Sequence, residues 1–178
     1  MADASIITPQ RNLSKVQLAS VPATYPAIGI VTTRPTSGIV VDHVTATGSG
    51  SPSLLRLIPY SSINNGTSVG MRIIGWAQYP NAAGTDTHYV PMVIGDYTLT
   101  YTSGTVPSAT VDGATIYTFS GLVQVAGTPP SNAYSPASVL ATNTEACAVL
   151  LDPIGTQLIT IQFKSSTTPT MGVFAATL

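Results

Sequence analysis

The sequence predicts an all-β domain, an antiparallel two-sheet sandwich of jelly-roll type with about 8–10 strands. Three observations predict it. Apolar residues recur with a period of two in segment after segment. The 15 glycines and 14 prolines are scattered so closely that no window keeps a helical apolar stripe free of them. Turn dipeptides, Asn65-Gly66 and Asp112-Gly113, fall between the periodic segments.

Taken in order, residues 1–14 form an extended N-terminal arm, with a first strand of the sandwich as the alternative. Residues 15–178 form the single β-domain. Residues 15–21 are a weak strand candidate; 38–47, 53–60, 69–79, 88–94 and 96–102 are better ones. In the last of these Tyr97, Leu99 and Tyr101 share a face, with threonines opposite. Residues 115–125 are rich in β-branched and aromatic side chains and are read as one strand. Residues 145–151, 157–164 and 171–177 complete the set. In 157–164, Ile159, Ile161 and Phe163 take one face and Leu158, Thr160, Gln162 and Lys164 the other. Asp152 to Gly155 is expected to be a tight, hairpin-like turn. Residues 79–87 and 127–143 read as longer excursions, and 135–144 is the best place for a short turn of helix.

Composition excludes several classes. Charged residues are 7% of the 178, against about 25% in an ordinary domain, and Thr and Ser supply about a quarter of the chain. A mean hydropathy of +0.32 argues against disorder. A net charge of -1 with six Lys and Arg argues against nucleic acid as a partner. A lone cysteine rules out a disulfide framework. No run is long and apolar enough for a membrane helix, and the start lacks the basic and apolar regions of a secretory signal, so synthesis in a cytoplasm is expected.

Residues that carry chemistry are scarce, and neither an enzyme nor a cofactor is expected. There are two histidines, His43 and His88, and no nucleophile elbow. Asp86 and His88 would share a strand face and make a metal pair conceivable, but Asp86 reads more simply as a turn former. Asp42 and His43 fall on opposite faces and cannot chelate together. Glu145 has no carboxylate partner assignable for glycoside hydrolysis. Cys147, flanked by alanines, reads as a small buried hydrophobe. Asn12 and Asn65 fit the glycosylation pattern by chance.

The aromatics carry the binding question. Trp76 and Tyr79 lie at a strand end entering a loop, near Tyr89. Exposed, these three could stack on a sugar ring or anchor a protein interface; the commoner fate of an only Trp is the core.

The run 69–79, containing Trp76, and the C-terminal run 163–178 resemble small virion proteins of tailed bacteriophages that decorate or cement the head. The likeness is one of texture: rich in Thr, Ser and Ala, low in charge, one Cys, and an apolar strand at the chain end. It implies a β-rich fold, trimers at capsid three-fold sites, location in the virion and no enzymatic activity. The expected partners are a capsid protein and further copies of the chain, as a homotrimer. The expected contact residues are Ile6, Ile7 and Arg11 in the arm, Trp76, Tyr79 and Tyr89, and Val173 and Phe174 in the tail. The alternative is a carbohydrate- or receptor-binding module of a viral fibre or spike. A buried Trp76 would favour assembly, and a solvent-facing one glycan binding.

Overall fold

Ile39, Val41, Ile159, Ile161 and Phe163 point into one core, while Val40 and Leu158, one residue out of phase, are buried on the opposite side of the same sheet. Period-two alternation thus splits each strand between two environments. In the computed structural model the described residues are 6–7, 14–18, 21–42, 54–63, 68–80, 82–84, 87–100, 108–111, 113–119, 121–125, 137–139, 147–153 and 155–177.

Thirteen strands are described: β1 (Ile6–Ile7), β2 (Ser14–Leu18), β3 (Ile39–Val41), β4 (Leu55–Ser61), β5 (Val69–Pro80), β6 (Thr87–Thr100), β7 (Ser108–Val111), β8 (Ala114–Thr118), β9 (Gly121–Gln124), β10 (Ala137–Val139), β11 (Val149–Leu151), β12 (Leu158–Lys164) and β13 (Met171–Thr177). One sheet has the order β1-β3-β12-β5-β6-β9. The other runs β10-β11-β4-β13-β2, with β8 also on β4 and β7 on β8. All ladders are antiparallel except the short β1–β3 pair. The inner faces pack as a β-sandwich around a core that includes Leu57, Met71, Ile73, Leu99, Phe163 and Val173.

Both prolines inside long strands sit where no ladder bond is lost. The Ser62 N–H donates to Thr170, so by alternation the Pro59 nitrogen faces the other edge of β4. That edge is paired by β11 at 55–57 and by β8 at 60–61, and Pro59 falls in the gap. Tyr89 exchanges both backbone bonds with Val31 on the outer edge of β6, so Pro91, two residues on, also aims its nitrogen outward.

Several expectations are corrected. The short helix at 135–144 is not formed where the structure is described: Ala137–Val139 is a strand paired to β11. Residues 115–125 are not one strand. The chain turns a corner at the buried Phe119 and passes from β8 in one sheet to β9 in the other. The two segments 88–94 and 96–102 are one strand, β6, kept continuous by a bulge. Ile73 lies opposite Gly95 but Ile74 opposite Val93, leaving Ile94 as the extra residue. The 152–155 turn joins strands of different sheets and is no hairpin, although Thr156 caps it through Pro153 O. The strand count exceeds expectation because short pieces such as β1 and β7 carry too few residues to show a period. By contrast the Asp112-Gly113 turn does join a hairpin, β7–β8, with Gly113 at φ 76°.

Candidate assembly surface

β5 and β6 are 12 and 14 residues long, twice the length of most of their neighbours. They pair from Val69–Leu99 out to Pro80–Thr87. The hairpin therefore runs on beyond the part of β5 that β12 pairs; of the excursion expected at 79–87, Tyr79, Pro80 and Thr87 are paired and 82–84 form a turn. Partners directly opposite each other share a face, so Gly75 and Met92, Ala77 and Val90, and Tyr79 and His88 line one side of it. Tyr79 and Met92 are each 56% exposed. Ala77, Val90 and His88 are half-buried. Between Arg72 and Asp96 the only formally charged residue in the sequence is Asp86, which lies outside the described residues. Among the described residues the result is a ladder with no Lys, Arg, Asp or Glu side chain, carried on a long antiparallel pair.

The opposite face is covered. Trp76 is only 3% exposed and packs with Val40, Ile74 and Leu158, with Ile28, Val31 and Tyr89 against them. Its Nε1 donates to Thr160 Oγ1 at 2.8 Å, so the indole is satisfied as well as buried. Trp76 is therefore not an exposed platform. Nor does it join Tyr79, which lies three residues on along the strand and so on the other face. Tyr89 is half-buried beside Trp76. The three aromatics do not form one site, and the odd spacing of 76 and 79 already carried that information.

Sequence reasoning missed a polar cluster on this outer face. Arg72 and Asp96 stand directly opposite each other on β5 and β6. Arg72 donates to Asp96 Oδ2 through Nε at 3.0 Å and Nη2 at 2.8 Å. The Tyr25 hydroxyl donates to Asp96 Oδ1 at 3.1 Å. The Tyr25 ring carries the Arg72 guanidinium 4.1 Å and the Lys164 ammonium 4.6 Å from its centroid. Burial, then the adjacent Asp96 carboxylate, pushes the Tyr25 phenol far above its ordinary pKa. The cluster pins residue 25 to the sheet. Its only advance signal is a pair of opposite charges inside strands, which meet once β5 and β6 are in register.

The other candidate residues fall apart. Ile6 and Ile7 pair in parallel with Val40 and Val41, so that part of the arm is tied within the chain. Arg11 lies outside the described residues, as do His43, Asp86, Glu145 and both asparagines of the glycosylation patterns. Val173 and Phe174 belong to β13, which is paired by β4 on one side and β2 on the other, so the tail is no free strand awaiting a partner. Val173 is in the core. Phe174 points outward and stacks on Tyr60 with ring centroids 4.7 Å apart. Asp42 is paired with Arg34 at 2.6 Å. Cys147 is buried and free, and burial pushes its thiol up to about 11, as suits an inert hydrophobe. Comparison of the chain with protein-family models, with curated proteins and with solved structures finds no match.

Proposed function

We propose that the chain is a non-enzymatic structural protein of a phage particle, one that decorates or cements the capsid through symmetric contacts between copies. The observation that carries this reading is the long β5–β6 ladder. It displays Tyr79 and Met92 to solvent on a long antiparallel pair whose described residues from 73 to 95 carry no Lys, Arg, Asp or Glu. Apolar faces of this kind mark interaction sites. A patch that meets a different surface of the next copy closes into a ring when the rotation allows, and a trimer needs a contact of that kind. A trimer and a jelly-roll form of the sandwich belong to the same proposal; consecutive strands mostly pass from one sheet to the other, as they do in that fold. The glycan-binding alternative keeps one exposed aromatic, Tyr79, and loses Trp76 to burial. Mass spectrometry of purified particles, paired with a glycan array, separates the two. The proposal expects the chain in particles in fixed ratio to the shell protein. Absence from particles together with a saturable sugar ligand would reverse it.

A further inference from the structure

We propose that residues 26–33 are a flap that opens as a unit while the sandwich stays folded, and that its opening uncovers Trp76. The stretch lies across the outer face of the six-stranded sheet between two clamps. At its start, Tyr25 is held by the Asp96 hydrogen bond and by two cations on its ring. At its end, Pro35 is buried, Arg34 is paired to Asp42, and Ser37 accepts a bond from Gln162 Nε2.

Between the clamps almost nothing holds it. No residue from 26 to 33 is buried, and Ile30 is 65% exposed. The backbone bonds described for it are one reciprocal pair, Val31 N to Tyr89 O at 3.1 Å and Tyr89 N to Val31 O at 2.8 Å. Ile28 and Val31 supply its apolar contacts with the buried cluster beneath. A segment with so few buried contacts and one isolated bridge belongs at the low end of local opening free energies. What it covers is not low-value surface. Trp76, Ile74, Val40 and Leu158 are as buried as the central core although they lie on the outer face. Opening would present the indole together with the freed N–H and C=O of Tyr89. These are an apolar surface beside an unpaired strand edge, the combination an extended chain segment needs.

The sequence supplies two single-residue reporters. Trp76 is the only Trp and lies under the flap; Cys147 is the only Cys and lies in the core. On the full-length wild-type chain, native-state amide exchange should be on the order of 100-fold faster at Val31 and Tyr89 than in the β5–β12 ladder. The flap rates should also stay flat in dilute urea. In the V31S variant, acrylamide quenching of Trp76 should rise several-fold while Cys147 stays as protected from a thiol reagent as in the wild type. Exchange of Val31 and Tyr89 in step with the ladder would overturn the proposal. So would a Trp76 that becomes quenchable only when Cys147 reacts. The exchange comparison needs no variant, so a V31S chain that fails to fold would not shield the proposal.

Discussion

Trp76 and Thr160 are diagonal neighbours across the β5–β12 ladder, where Trp76 stands opposite Leu158 and Thr160 opposite Ile74, and the indole N–H donates to the Thr160 hydroxyl at 2.8 Å. A threonine fully buried on an outward face is explained by that bond. It also makes the only Trp a structural residue, the commoner of the two fates its sequence position allows.

Thr160→Val keeps the shape and removes the acceptor, leaving Nε1 buried without a partner. The expected cost is about 1–3 kcal/mol, read as a lower urea midpoint with unchanged slope. In a Trp76→Phe background the same substitution should cost much less, because no donor is then stranded. Equal costs in the two backgrounds would show that the bond does not matter.

Stability should fall on the alkaline side. Burial raises Tyr97 to about 12 and Cys147 to about 11, and raises Tyr25 further still with the help of Asp96. Each group holds its proton more tightly folded than unfolded, so its contribution is complete below its ordinary pKa and is lost as pH rises through the folded value. The urea midpoint should be level from about pH 7 to 8, begin to decline as the unfolded-state Cys thiol titrates near about pH 8.5, and fall on toward about pH 12. Tyr25→Phe should make the decline shallower. A midpoint that drops between pH 7 and 8 would contradict this account.

Gly38 and Gly84 both have positive φ, 90° and 68°. A Cβ on Gly38 would also run into the Ile161 carbonyl, whereas Gly84 has open space around it. Gly84→Ala should cost about 1 kcal/mol from backbone strain alone. Gly38→Ala adds a clash with the central ladder and should cost roughly 3 kcal/mol or more. Thermal unfolding of the two variants compares them directly.

The layers of the fold were legible wherever one strand alternates cleanly. Residues 157–164 announced both faces, and the structure puts Ile159, Ile161 and Phe163 in the core and Thr160 and Gln162 on the other side. What alternation cannot show is a change of sheet. Residues 115–125 keep an apolar texture through the corner at Phe119, so two strands looked like one. The bulge at Ile94 shifts the phase of β6 and split one strand into two. The place of the tail has a different cause: β13 is enclosed by partners from residues 14–18 and 55–61, a long-range relation no local pattern carries. The apolar ladder was half legible: Tyr79 was singled out, while Met92, opposite Gly75, depends on register.

The central claim is that copies of the chain associate through the long β5–β6 hairpin, and sedimentation velocity of the wild type beside a Tyr79→Asp, Met92→Asp double variant tests it most directly. Both side chains are exposed, so the charges should leave the fold and its circular dichroism unchanged. The account predicts a discrete wild-type oligomer that persists across salt concentrations, because Tyr79 and Met92 are uncharged side chains, and a monomeric variant. A wild type that sediments as a monomer at every concentration, or a double variant that assembles as well as the wild type, would contradict it.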